Sequence, residues 1–363
     1  MRRHDSSRSF AASPPPLGYR PALDGLRGFS VLCVMGFHSF LLPGGGFLGV
    51  DIFFVLSGFL ITNLLLAEHA ATGSLNLRRF YARRARRLVP PLFVAVVAFL
   101  LISAVADRSG FADDALAAAA GVTYITNILV TIVPTWLPSV SHLWSLAAEE
   151  QFYLLWPVVL IAVLRRNISR RALTIGVGAV VVAIWADRFA LTLAGASQHR
   201  LYFGPDTSLD PIVIGCLLAL LNDGGYVGRA CSTPFMRGRV VPVCLGLALG
   251  MILGIPDTDP RWIYEWALPV FGVAVAIILG SVVADPQSPI AAVLSRARLV
   301  ALGRISYAVY LWHPILLFAV HMPKLLSVPC AIGAAALSNR YVEKRFRRRP
   351  SAPFPPAPAV ATA

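Results

Sequence analysis

The chain has 363 residues, 57% of them hydrophobic and only 14% charged, with a formal net charge of +14. A soluble domain of this size carries about 25% charged residues, so composition argues against an ordinary soluble enzyme and for a polytopic helical membrane protein. The basic charge lies in short segments between apolar runs, which argues against nucleic-acid binding.

In chain order, residues 1–20 read as a basic, uncleaved cytoplasmic arm containing Pro14, Pro15 and Pro16. Apolar runs then predict ten spans, at 22–42, 47–68, 88–106, 145–164, 173–193, 208–221, 240–255, 263–283, 300–320 and 325–339. A further apolar stretch, 115–134, is set apart because charge decides its place. With ten spans and an inner N-terminus, 25 lysines and arginines fall in inner segments. The outer segments hold four: Arg108, Arg200, Arg261 and Lys324. That asymmetry predicts both termini in the cytoplasm, and 115–134 at the outer face as a non-crossing or re-entrant segment. The expected class is therefore an all-α transmembrane bundle, multi-pass in the cell's inner (plasma) membrane. A membrane domain over 21–346 precedes a Pro/Ala-rich tail, 347–363, expected to be disordered.

The first span carries Arg27 and His38. Eleven residues of helix turn through about 1,100° and rise about 16 Å, so both side chains share one face. Ionisable groups at membrane depth usually mark a site or a pathway. A fixed cation below a titratable imidazole suits a long anionic donor held at one end and reacting at the other.

Span 2 opens on Asp51, which is either an interfacial cap or a group that polarises a catalytic side chain. Its Ser57-Gly58 pair is a notch for a neighbouring backbone. The first inner loop holds six arginines between Arg78 and Arg87. They anchor the topology on anionic lipid, and Arg84 with Arg87, at i and i+3, can also grip phosphates. Glu149 and Glu150 enter span 4 beside His142, Trp144 and Tyr153. They are either solvated acids in an aromatic belt or partners of a base, His38 or His142.

Asp206 and Asp210 enter span 6, His313 precedes Pro314 in span 9, and Asn339–Phe346 closes the last span with charge. His313 reads first as relief of a kink, and the closing charges as an anchor. Cys33, Cys216, Cys231, Cys244 and Cys330 lack zinc or redox spacing and read as packing residues. No metal site is expected.

These segments together resemble the acyltransferase 3 family of integral-membrane O-acyltransferases. The likeness rests on Arg27 and His38, Phe47–Thr62, Arg83–Pro90, His142–Pro157, Ile305–Pro314 and Glu343, in that order, and covers about residues 20–346. It implies a cytoplasmic acyl-CoA donor, used as a substrate rather than a bound cofactor, and a hydroxyl acceptor on a glycan, glycolipid or secreted natural product. Arg27 and His38 match the family's functional pair, Arg84 and Arg87 its paired arginines, and Glu149 and Glu150 its span-entry acids. On that basis Arg27, Arg84 and Arg87 are expected to bind the donor. His38 is expected to act as general base or transient acyl acceptor, oriented by Glu149, Glu150 or Asp51.

The chain departs from similar proteins at Ser208, where an arginine is common, and at Lys344-Arg345, where a proline often follows the glutamate. Its last span is short, with about 13 apolar residues against the roughly 20 needed to cross. The soluble esterase-like domain fused to some relatives is not expected. A transporter or flippase, or a catalytically impaired subunit, are the competing readings.

Overall fold

The computed structural model describes residues 17–39, 44–106, 110–133, 140–255 and 261–346, and every regular element among them is helical. Most of the expected arm and the whole expected tail lie outside these residues.

Helix α1 (Pro21–His38) opens with proline at its first turn, where a missing N–H costs nothing. A 3₁₀ turn, Gly44–Leu48, leads directly into α2 (Gly49–Thr72), which ends on Gly73 at φ 70°. Helix α3 (Leu77–Ala106) corrects the expected inner loop. The arginine run is its first three turns, and Pro90 and Pro91 lie inside the helix. Arginine favours helix, and the continuous helix sets Arg83, Arg84 and Arg87 in a fixed relation.

The set-apart stretch becomes two short helices, α4 (Phe111–Val122) and α5 (Thr126–Ile132), broken at Tyr124 with φ 56°. Neither is long enough to cross a bilayer alone. Next come α6 (Leu143–Arg165), α7 (Arg170–Leu193), α8 (Gln198–Phe203) and α9 (Asp210–Asp223). A short α10 (Tyr226–Cys231) precedes a π turn that feeds α11 (Val241–Gly254). A second π turn enters α12 (Leu268–Ala284), followed by α13 (Pro289–Leu294). The expected ninth span is broken. Helices α14 (Ala297–Arg304) and α15 (Ser306–Pro314, extended by a π turn to Ala319) meet at a 67° bend. Finally α16 (Lys324–Ser338) runs on through a π turn to α17 (Lys344–Phe346). The last helical stretch is thus longer than its apolar run.

Among the described residues, six helical stretches are long and apolar enough to cross a membrane: 44–72, 77–106, 143–165, 170–193, 236–254 and 263–284. The bent pair makes seven. Helices α1 and α9 are shorter than ideal spans and lie at the centre of the molecule. Large apolar side chains face outward on α3 (Phe93, Leu101, Val105), α7 (Ile175, Val182, Leu193) and α16 (Leu325, Leu326, Leu337). Such surfaces fit a hydrocarbon solvent rather than water.

Helix α2 is the hub. At Gly58 an added Cβ would strike the Ile212 carbonyl, and at Gly215 the Val55 carbonyl, so two glycines let α2 and α9 touch backbone to backbone. The expected notch at Ser57-Gly58 is this contact. Beside it a buried charge cluster joins α7 to α9. Arg188, 1% exposed, binds both carboxylate oxygens of Asp210 (2.9 and 3.1 Å), and Trp185 donates to the same group at 2.9 Å. Four of the five free cysteines are buried as packing residues, and Cys330 is exposed.

Candidate active site

A cavity of about 780 Å³ is walled by α2, the basic end of α3, the start of α6, α15 and the residues that begin α1. That volume is in the range of small-molecule sites. Its lining includes the guanidinium groups of Arg27, Arg83, Arg84 and Arg87, the apolar side chains of Phe53, Phe54, Leu60 and Leu146, the acids Glu149 and Glu150, and the hydroxyl groups of Ser145, Tyr153 and Tyr310.

Three of these arginines are already paired. Arg84 binds Glu150 and lies over the Tyr153 ring, 3.3 Å from its centroid. Arg27 faces Asp24 at 3.6 Å. The same carboxylate receives the Tyr19 hydroxyl at 3.1 Å and lies 3.7 Å from Arg304. Arg83 reaches Glu68 at 3.8 Å, and that glutamate also accepts from the Asn76 amide, closing the turn between α2 and α3. These partners fix the guanidinium groups of Arg27, Arg83 and Arg84 in the cavity lining.

Glu149 accepts hydrogen bonds from Ser57 and from the Tyr153 hydroxyl, the latter at 2.7 Å. The sequence expectation that one of three carboxylates orients His38 therefore meets a different arrangement. Glu149 and Glu150 are engaged with Ser57, Tyr153 and Arg84. Asp51 is buried within electrostatic reach of Arg188 and Asp210. No ion pair joins His38 to a carboxylate among the described residues, and its Nδ1 has no hydrogen-bond partner there. Serine at 208, where similar proteins often carry arginine, donates to the Gly204 carbonyl at 2.8 Å.

What surrounds His38 is other rings. Its imidazole stacks on His313, with centroids 5.8 Å apart and planes 21° from parallel, and meets the edge of Phe318. His142 is within electrostatic reach of both imidazoles. Its ring packs against Tyr310 at 5.5 Å. Tyr310 donates its hydroxyl proton to the His142 carbonyl at 2.8 Å and lies 2.6 Å from Ser145 Oγ. Ser145 and Tyr310 thus line the cavity on one side and, through Tyr310, contact His142 of a cluster of three histidines on the other.

The structure places Arg27, Arg84, Arg87, Glu149 and Glu150 on one cavity. It sets His38 in the histidine cluster and Asp51 in a separate charge cluster. Sequence reasoning singled out neither Ser145 nor Tyr310, and read His313 as a kink residue. The signal was present in Ile305–Pro314, where polar and aromatic groups recur in an apolar run. Among the described residues, no three of His, Cys, Asp and Glu are placed to hold a metal ion.

A family model described as an acyltransferase domain, that of the acyltransferase 3 family, matches residues 20–335. "O-acetyltransferase OatA" of Staphylococcus aureus (strain NCTC 8325 / PS 47) is 34% identical over 357 residues, covering 91% of this chain and 58% of that protein. "Putative O-acetyltransferase SAS0844" of Staphylococcus aureus (strain MSSA476) is 32% identical over 360 residues, with the same coverage of each chain. The chain therefore spans under two thirds of the length of these curated relatives. No solved structure matches.

Proposed function

Since the chain belongs to the acyltransferase 3 family, we propose that it is a membrane-bound O-acyltransferase. It takes an acyl group, acetyl or longer, from a cytoplasmic acyl-CoA and passes it to a hydroxyl of a glycan, glycolipid or secreted natural product. The names of its relatives favour acetyl.

The observation that carries this reading is the cavity, with four arginines in its lining and with Ser145 and Tyr310 in its wall against His142. Arg27, Arg84 and Arg87 bind the donor's phosphates through charge-assisted hydrogen bonds. The extended arm of the donor follows the apolar middle, a distance comparable to the roughly 16 Å of helix between Arg27 and His38. His38 removes the proton from the acceptor hydroxyl as the oxygen attacks the thioester carbonyl. The C–S bond breaks, and the thiolate recovers the proton from the imidazolium. Glu149 and Glu150 act by holding Ser57, Tyr153 and Arg84. Asp51 acts through the Arg188–Asp210 cluster. The spans number ten with both termini in the cytoplasm, so Arg27 is near the inner face and His38 toward the outer half.

The test is turnover of radiolabelled acetyl-CoA by the purified protein in lipid nanodiscs, with and without extracted envelope glycans and lipids. Loss of turnover in His38→Ala is expected. Turnover at the wild-type rate in that variant overturns the assignment, and transport of a substrate without thioester cleavage favours the flippase reading.

A further inference from the structure

His142 and His313 are 7% and 1% exposed, and neither imidazole has a hydrogen-bond partner on either ring nitrogen among the described residues. Buried polar atoms are almost always partnered, and a buried unpaired group costs free energy that packing alone does not return. With His38 Nδ1, five buried imidazole nitrogens from α1, α15 and the entry to α6 stand without a partner in one cluster. His142 packs against the Tyr310 ring and His313 stacks on His38, and neither ring contact supplies a hydrogen bond to their nitrogens.

We propose that His142 and His313 form the acceptor-binding site of the acyl-transfer reaction, recognising neighbouring hydroxyls of a polyhydroxylated acceptor such as a sugar. A neutral imidazole has one N–H donor and one acceptor nitrogen, and a hydroxyl is both donor and acceptor. Two such rings beside a third therefore match a vicinal diol, with one hydroxyl presented to His38 and its neighbour held by His142 or His313. The two substrates then meet at the Ser145–Tyr310 layer, where the acceptor oxygen reaches the thioester. The donor fills the arginine-lined cavity and the acceptor lies on the histidine side. Tyr310 is a positioning residue, because it fixes the backbone at His142 through its 2.8 Å hydrogen bond.

The proposal rests on the O-acyltransferase reading above, and its test separates the two. Membranes from cells that make the protein, and so hold its native acceptor, are given radiolabelled acetyl-CoA. Label transferred to acceptor and label released as acetate by thioester hydrolysis are counted separately. His142→Ala and His313→Ala are expected to lower the ratio of transfer to hydrolysis at least tenfold. His313→Gln, which keeps a donor and an acceptor, is expected to recover part of it. His38→Ala is expected to lose both products. An unchanged ratio in both alanine variants overturns the acceptor assignment, as does an equal fall of transfer and hydrolysis in well-folded protein. Wild-type membranes that produce neither product overturn the O-acyltransferase reading itself.

Discussion

Arg27, Arg83 and Arg84 in the cavity lining each face a carboxylate, so the effect of removing one depends on what is left behind. Arg27 shares Asp24 with Tyr19 and Arg304, a partly exposed network that tolerates the loss of one member. Arg27→Ala is therefore expected to fold normally and to raise the KM for acyl-CoA by about 10- to 100-fold. That is the worth of one or two kcal/mol-scale charged hydrogen bonds to a phosphate. Steady-state kinetics over a donor titration would read it, and an unchanged KM would remove Arg27 from the donor site. Arg188 is the opposite case. Both its terminal nitrogens are committed to a carboxylate with no access to solvent, and truncating one partner strands a buried charge. Arg188→Ala is expected to destabilise the protein by about 3–5 kcal/mol. The double variant Arg188→Met, Asp210→Leu should recover most of that loss. Thermal unfolding in detergent distinguishes the pair, and equal melting temperatures for the single and double variants would contradict the buried-pair account.

The contact between α2 and α9 owes its closeness to what a glycine on each helix omits. A side chain at Gly215 would meet the Val55 carbonyl, backbone against backbone, where no rotamer offers relief. Gly215→Val is expected to push α9 from α2, costing at least the 1–3 kcal/mol of an overpacked core and lowering both the yield of folded protein and its melting temperature. Wild-type yield and stability in that variant would show that the contact is slack.

Much at this scale was legible from sequence. The apolar runs located the long helices to within a few residues, and the Ser57-Gly58 notch was visible as a pair of small residues. The helical course of Arg78–Arg87 was hidden, because charge-rich segments beside spans read as loops. The break at Ile305 and the extension of the last helix beyond Ser338 were hidden too, since hydropathy records burial by lipid and not backbone continuity. Glu149 and Glu150 stood out in the sequence as adjacent acids at a span entry. Which partners they find depends on how α2, α3 and α6 meet, and no local pattern encodes that. His38 was found by its spacing from Arg27, whereas its stacking on His313, some 275 positions along the chain, was beyond any spacing rule.

For the whole molecule, charge asymmetry is the argument for which way the cavity opens, and it yields a direct test. If 115–134 does not cross, as its division into α4 and α5 favours, then the segment joining α6 to α7 lies on the same side as the arginines of α3. A bacterial alkaline phosphatase fused after Asn167 is then expected to be inactive, and one fused after Ser197 active. The reverse pattern would show that 115–134 crosses the membrane or that the arginine-lined cavity faces outward, and either result contradicts the topology argued above.

The central claim is that His38, above that cavity, transfers an acyl group to a hydroxyl on a surface or secreted molecule. Mass spectrometry of surface glycans, glycolipids and secreted small molecules tests it most directly, in cells with the wild-type protein, with none, and with His38→Ala. An acyl mass increment present only with the wild type is the expected result, and its size identifies the acyl group. The same increment in His38→Ala cells, or identical profiles in all three together with no acyl-CoA turnover by the purified protein, would contradict the account.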